Sequence, residues 1–153
     1  MAKSVSAAGI ATMVGTTLGT STWIEITQDR VNAFAEATGD FQFIHVDPER
    51  AKLTPFGGPI AHGFLTLSLL SLMFTQSDCP KVANIKMGVN YGTNRTRFLA
   101  PVRVGKRIRG VFKLLEMKEK RPGQWQRTIE VTVEIEGEHK PALICDWITQ
   151  FFV

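Results

Sequence analysis

The sequence predicts an α+β fold in which an antiparallel sheet curls around a buried helix, and three observations support this prediction. The segment 64–74 is the most apolar of the chain, and from Ala61 onward its apolar residues occupy nearly every face of a helix, as in helices enclosed by protein. The segments between the later apolar runs are short, which favours antiparallel neighbours arranged as a meander. Four such runs have the residue pattern of strands: 85–98, 108–117, 125–135 and 142–152.

Two helix-start signals precede this region. Thr27 is a capping residue in front of apolar residues at helical spacing, and Gly39 supplies the left-handed conformation that ends a helix. Asp47 followed by Pro48 indicates a second, short helix that runs through Ala51. We therefore assign Asp47 to capping and place Asp40 at the start of a loop.

Size and composition predict one globular domain over residues 1–153, with 1–20 as an N-terminal extension or lead-in. The chain has 153 residues, of which 44% are hydrophobic, and a net charge of +4. This modest charge suits a small anionic partner and lacks the clustering of a nucleic-acid binder. Cys79 and Cys145 lie far apart without metal-ligand spacing, so neither a disulfide nor a metal is indicated and a cytoplasmic setting is expected. Segment 64–74 is shorter than the ~20 residues that span a bilayer, so no membrane partner is expected.

Asp40 and His45 place a carboxylate and an imidazole on one short segment directly after the first helix. Such a pair can hold one water molecule between them and move protons to and from it. In the alternative interpretation, Asp40 accepts hydrogen bonds from local backbone amides and His45 is an ordinary loop residue. Taken alone, the residues favour this alternative.

Several separated motifs resemble the MaoC-like (R)-specific enoyl-CoA hydratases. The match extends from about Thr22 to the C-terminus, and several motifs in the right order are more specific than one short pattern. Where the commoner family motif has Asn-Pro, this chain has Gln42-Phe43, a variant that resembles the nodulation-protein NodN-like branch. The matching segments are Gly39-Asp40-x-x-x-x-His45, Asp47-Pro48-Glu49-Arg50-Ala51, Pro59-Ile60-Ala61-His62-Gly63-Phe64 and Val89-Asn90-Tyr91-Gly92-x-Asn94-x-x-Arg97-Phe98-x-x-Pro101-Val102.

The resemblance implies the hot-dog fold, a homodimer and syn addition of water to a trans-2-enoyl thioester. Asp40 and His45 would handle the protons, and the Gly63 amide would stabilise negative charge on the thioester oxygen. The alternative for Gly63 is close packing of backbone against the sheet. Coenzyme A would enter as part of the substrate, and neither a metal nor a redox cofactor is expected.

Further residues are candidates with an ordinary structural alternative. His62 is a possible second base or a structural residue near a helix start. Ser71 matches a serine of related hydratases but lies about 12 Å from Gly63 along a helix, so it either supports the catalytic loop or bonds its own helix backbone. Asn94 and Arg97 belong to a basic segment that could meet the phosphates of coenzyme A or could be a solvated sheet edge. Phe74 lines an acyl tunnel or is core.

The sequence is also compatible with two other functions. The same fold and thioester ligand can support a thioesterase, in which water attacks the carbonyl carbon. A non-catalytic module that binds acyl thioesters would retain the ligand and leave Asp40 and His45 with structural roles.

Overall fold

The four long strands predicted from the sequence lie in one antiparallel sheet in the computed structural model, which describes residues 2–153. The strands are β1 Ser4–Val5, β2 Thr17–Thr20, β3 Ile24–Glu25, β4 Lys81–Val82, β5 Met87–Phe98, β6 Arg107–Arg121, β7 Gln124–Ile135 and β8 Leu143–Phe152. The helices are α1 Ala7–Ala11, α2 Gln28–Thr38, α3 Phe43–Val46, α4 Pro48–Ala51, α5 Gly63–Ser68 and α6 Leu70–Thr75. Within the described part of the chain, no helix is long and apolar enough to cross a bilayer.

The strand order of the main sheet is β2-β6-β7-β8-β5, with β3 also paired to β6. Strands β6, β7 and β8 form the predicted meander, but the prediction is wrong for β5, which pairs with β8 and not with β6. The reason is that β2 and β3 occupy the edge of β6 that β5 would need. The chain after β5 instead passes the segment that precedes α5, where the Ala61 amide donates to the Val102 carbonyl at 2.8 Å.

Helices α5 and α6 form the central helix, interrupted only at Leu69, which keeps αR backbone angles. Its inner side, including Leu65, Leu70 and Met73, is buried against the concave face of the sheet. The prediction of a helix buried all round is wrong for the single chain, because Phe64 is 67% exposed and Ser71 is exposed on the outer side. The sheet therefore wraps one side of this helix.

The predicted helix signals are confirmed. Thr27 Oγ1 accepts a hydrogen bond from the Arg30 amide at 3.1 Å, and Gly39 ends α2 in the left-handed region with φ 78°. Asp47 Oδ1 accepts from the Arg50 amide at 3.1 Å at the start of α4. The segment that contains His45 is a helical turn, α3, and not the irregular loop that the sequence suggested.

The N-terminal residues pack onto the same core. Strand β1 pairs with β4 in a small parallel sheet, and β2 pairs with β6 of the main sheet. Between them, α1 contributes Ile10, which is fully buried. Residues 4–20 thus add elements to the fold that the sequence did not indicate.

Candidate active site

Asp40, His45 and His62 meet where the end of α2, helix α3 and the start of α5 come together. One side-chain nitrogen of each histidine and one carboxylate oxygen of Asp40 all lie within 4.8 Å of one another. Asp40 is exposed, whereas His45 and His62 are 6% and 2% exposed. The cluster thus combines one solvent-exposed carboxylate with two buried imidazoles.

Backbone contacts fix the His45 ring. Its Nδ1 lies 2.7 Å from the Ile60 carbonyl oxygen, so the Nδ1–H donates this bond and the neutral ring keeps Nε2 as an acceptor. The Ile60 amide in turn donates to the Ile44 carbonyl at 2.9 Å. Gln28 Nε2 donates to the His45 carbonyl at 2.8 Å and ties α3 to α2. The orientation of the ring therefore depends on three separate segments of chain.

The protonation state of His45 follows from its burial. Desolvation lowers the pKa of His45 below its usual 6.5, opposed by the hydrogen bond to Ile60. His62 lowers this pKa further, and the Asp40 carboxylate raises it. His45 is consequently neutral at pH 7, the state that a general base requires.

His62 links the two residues of the pair. Its ring stacks on that of His45 with centroids 3.9 Å apart and planes at 26°. Its Nε2 lies 2.9 Å from the Asp40 carbonyl oxygen, so the ring donates to the backbone of the Asp40 loop. Among residues 2–153, His62 Nδ1 is buried and has no hydrogen-bond partner. The His62 ring therefore joins the His45 ring to the backbone of the Asp40 loop.

Asp40 retains the local turn contact that its sequence position suggests. Its Oδ1 accepts from the Gln42 amide at 3.3 Å, a long hydrogen bond of the Asx-turn type. An acceptor of this kind has further lone pairs on both carboxylate oxygens. Asp40 can therefore keep the hydrogen bond of the local turn and accept a further hydrogen bond from another donor.

A cavity of about 200 Å³ opens beside His45, and neither Asp40 nor His62 is among its lining residues. Its lining includes His45, Ile60, Gly63, Thr66 and Phe98. Gly63 is the first residue of α5, where a helix leaves its amides without acceptors of its own. A Cβ placed on Gly63 would lie 2.9 Å from Cδ1 of Phe98, so a side chain at this position requires that ring to shift.

The remaining sequence-predicted residues do not line this cavity. Ser71 lines a second cavity of about 270 Å³ together with Trp147. Phe74 packs edge-on against Phe112 with centroids 5.2 Å apart. The other two, Asn94 and Arg97, lie on exposed β5.

The donor set of one carboxylate and two imidazoles is one that could hold zinc. Their arrangement does not suit it, because two nearly parallel stacked rings direct their lone pairs along parallel planes and not toward one point. His45 Nδ1 and His62 Nε2 are also engaged with backbone carbonyls. We therefore derive no chemical step through a metal.

Sequence reasoning missed three contributors to the site. The Ile60 carbonyl orients His45, and Gln28 braces the same turn, but a backbone acceptor and a helix-surface amide have no residue signature. Phe98 is the last residue of β5 and lies within the motif that begins at Val89, so the sequence could have indicated it as an aromatic residue at the end of a strand.

A sheet wrapped around a central helix, with the acid and imidazole beside the start of that helix, defines a hot-dog protein of the hydratase type. The solved (R)-hydratase from A. caviae involved in PHA biosynthesis has the same fold, with a TM-score of 0.71 and 26% identity over 89% of this chain and 94% of that chain. A family model described as "MaoC like domain" matches residues 10–137. The chain belongs to the MaoC-like dehydratase family.

Two relatives match across nearly the whole chain. Nodulation protein N of Rhizobium meliloti is 52% identical over 145 residues, which cover 94% of this chain and 89% of that protein. The 3-hydroxyacyl-thioester dehydratase Z of Mycobacterium tuberculosis is 47% identical over 146 residues, which cover 95% of each. The resemblance to MaoC-like and NodN-like proteins is thereby confirmed.

Proposed function

We propose that the protein is an (R)-specific enoyl-CoA hydratase, which adds water reversibly and syn to trans-2-enoyl-CoA to give (R)-3-hydroxyacyl-CoA. The observation that carries the proposal is the approach of Asp40 to within 4.8 Å of His45, which lines the same cavity as Gly63 at the start of α5. Membership of a family whose relatives are named dehydratases and hydratases supports the same chemistry.

The spacing of the pair suits one shared water. A water that makes two hydrogen bonds of about 2.8 Å joins groups about 4.5 Å apart, which is close to the upper limit set by the observed cluster. One O–H of the water donates a hydrogen bond to His45 Nε2, and the other donates a hydrogen bond to the Asp40 carboxylate. The water is thereby held with its oxygen free to attack C3.

Hydration then requires two proton movements on one face of the double bond. As the water oxygen bonds to C3, the pair removes one proton from it. C2 receives one proton from the same pair, so the enzyme ends in its starting protonation state. Because both groups lie on one side of the substrate, the addition is syn. No metal or redox cofactor takes part in this proposal.

Negative charge that develops on the thioester oxygen is stabilised by the Gly63 amide. This amide is the first of α5 and lines the same cavity as His45. A preorganised amide donor of this kind contributes about 10² to 10³ in rate. Arg97 and Asn94, on the exposed strand that leads to Phe98, are proposed to meet the coenzyme A moiety.

We also propose a homodimer formed along β5. This strand is at the edge of the sheet, and it exposes large apolar side chains next to the exposed Phe64 of the central helix. An unpaired apolar edge is a surface that hot-dog sheets can cover by pairing with a second copy. The residues concerned are Met87, Val89, Tyr91 and Phe98, which are 43–65% exposed.

The direct test is an assay on crotonyl-CoA and longer trans-2-enoyl-CoA thioesters with Asp40→Asn and His45→Gln. Each variant is expected to lose about 10² to 10⁴ in kcat, because each lacks one positioned proton-transfer group. Asp47→Asn and His139→Gln are matched controls, since Asp47 caps α4 and His139 is exposed elsewhere. Both controls should keep near wild-type turnover.

The products separate the alternatives. Hydration removes the conjugated enoyl absorbance and leaves the thioester intact, whereas a thioesterase releases a free thiol. Thiol release would replace the proposal with hydrolysis. Binding of enoyl-CoA without turnover by the wild type would replace it with a non-catalytic module, and a folded Asp40→Asn variant at full activity would remove Asp40 from the mechanism.

A further inference from the structure

Arg127 is a buried cation without a counter-ion. It lies on β7 in the inward-facing row that continues with Ile129, and it is 7% exposed. Among residues 2–153, no acidic side chain forms an ion pair with Arg127, and its Nε is buried without a hydrogen-bond partner. Burial lowers the pKa of Arg127 to about 10, so the guanidinium still carries its charge at pH 7. A buried charge in this state is unfavourable unless something compensates it.

The immediate surroundings add positive charge. The Arg127 guanidinium lies 4.5 Å from the Phe74 ring centroid, and the Lys81 ammonium lies 4.2 Å from the same centroid. Lys81 also donates to the Phe74 carbonyl and to Ser77 Oγ, whereas Asp78, near Lys81, is engaged by the Thr20 amide at 2.7 Å. The aromatic face offsets part of the charge, but the region remains cationic.

Arg127 faces a cavity of about 190 Å³, which we call the Arg127 cavity. Thr149, the register partner of Arg127 on β8, also lines it, and Thr149 Oγ1 is buried without a partner within the described residues. Two unpartnered polar groups on neighbouring strands thus border one cavity. A ligand that accepts hydrogen bonds and carries negative charge would satisfy both.

The Arg127 cavity adjoins a second cavity that lies beside the central helix. It shares Ser71, Asn90 and Trp147 with the cavity of about 270 Å³, whose lining starts at Leu67. Thr66, the preceding residue, lines the catalytic cavity. The residues of the central helix that line the three cavities come in this order along the chain, although the catalytic cavity shares no lining residue with the other two. Ser71 lies about 12 Å from Gly63 along the helix axis.

We propose that the Arg127 cavity binds a carboxylate at the far end of the acyl chain, so that the preferred substrates are enoyl thioesters of dicarboxylic acids. This inference rests on the proposed hydratase function and names the substrate class of the same site. Ser71 borders the Arg127 cavity and lies about 12 Å along the helix axis from Gly63, and an extended chain advances about 1.2 Å per bond, so about ten bonds are needed to reach the edge of this cavity from the thioester. A chain of about ten to twelve carbons is the expected length.

Selectivity follows from the unpaired groups. A terminal carboxylate can make two parallel bonds to the guanidinium and accept from the Thr149 hydroxyl. A terminal methyl would leave the guanidinium buried and unpaired, the situation in which polar sites reject an apolar analogue. Hydrogen bonds to a charged group are each expected to change affinity on the order of 10- to 100-fold.

The test compares two C10 trans-2-enoyl-CoA substrates, one that ends in a methyl group and one that ends in a carboxylate. The wild type should hydrate the carboxylate substrate with about 10- to 100-fold higher kcat/KM, mainly through a lower KM. Arg127→Met should lose this preference, and Arg127→Lys should keep part of it. Arg121→Met, an exposed arginine at the end of β6, is the matched control and should behave like the wild type.

Binding of the corresponding saturated CoA thioesters, measured by calorimetry, separates this inference from the proposed function. If neither enoyl substrate is hydrated, the proposed function fails, and the wild-type binding ratio still decides whether the cavity selects a carboxylate. A wild-type preference for the methyl-ended thioester would overturn the inference. An unchanged ratio in folded Arg127→Met would also overturn it. If the oligomeric state of Arg127→Met changed as well, the counter-ion of Arg127 would be assigned to a second copy of the chain. If Arg127→Met does not fold, Thr149→Val should reduce the preference about 2- to 10-fold, and an unchanged preference would count against the inference.

Discussion

Replacing Gly63 with alanine, alone and together with a substitution of Phe98, distinguishes a glycine needed for the substrate from one needed only for packing. The new Cβ would lie 2.9 Å from Phe98 Cδ1 and 3.1 Å from its Cγ and Cε1, which is closer than real side chains approach. Overpacking of this kind destabilises a protein by about 1–3 kcal/mol. The clash and the obstruction of the cavity occur together in Gly63→Ala, so a second substitution is needed to separate them.

Phe98→Ala removes the clashing ring, and the double variant Gly63→Ala/Phe98→Ala completes a thermodynamic cycle. Urea denaturation should show that the clash energy of about 1–3 kcal/mol disappears in the double variant, as a coupling between contacting residues. Gly58→Ala is the control, since a Cβ there meets nothing within 4 Å, and it should change the free energy of unfolding by less than about 1 kcal/mol.

The activity of the double variant decides between the two roles of Gly63. If the thioester must approach the Gly63 amide, kcat/KM should stay about 10² to 10³ below that of Phe98→Ala although stability has recovered. Recovery of kcat/KM to within about threefold of Phe98→Ala would refute the reasoning and leave Gly63 with a packing role.

Two further predictions concern pH and assembly. Because burial lowers the pKa of His45, kcat/KM should fall on the acidic side with a midpoint below 6.5, and unfolding free energy should also decline as pH falls below 6.5, since the unfolded state then binds the proton more readily. A midpoint above 6.5 would contradict the assignment of His45 as the buried base. Tyr91→Glu, on the exposed edge of β5, should shift the proposed dimer toward monomer in sedimentation velocity and reduce activity, whereas Val14→Glu, at an exposed apolar residue outside β5, should do neither. If Tyr91→Glu and Val14→Glu changed the oligomeric state and the activity equally, β5 would not be the dimer interface.

Local features of the fold could be predicted from the sequence because they depend on few neighbouring residues. The cap at Thr27, the left-handed end at Gly39 and the start at Asp47-Pro48 are each set by one side chain and its nearest amides. The long strands were recognised by their apolar content, and their observed bounds differ mainly at the ends, most clearly for β6, which extends to Arg121.

Features that depend on distant contacts could not be predicted in this way. The pairing of β5 with β8 depends on β2 and β3, whose runs of two to four residues are too short to show a pattern. The approach of Asp40 to His45 was proposed from the motif, but the tautomer of His45 depends on the Ile60 carbonyl, and a backbone oxygen leaves no trace in residue identity. Arg127 lies in an alternating row of a strand, where only the surrounding layers reveal that it is enclosed.

The hydrogen bonds between Ile60 and the α3 turn have a consequence for which parts of such a protein can change in sequence. The Ile60 amide and carbonyl engage Ile44 and the His45 ring, so main-chain atoms of two loops fasten the imidazole before any ligand arrives. The walls farther along the central helix consist instead of side chains, such as Trp147 and Thr149, that substitution can exchange. Substitution can therefore reshape the cavities along the central helix, while the backbone contacts keep the His45 ring in its orientation.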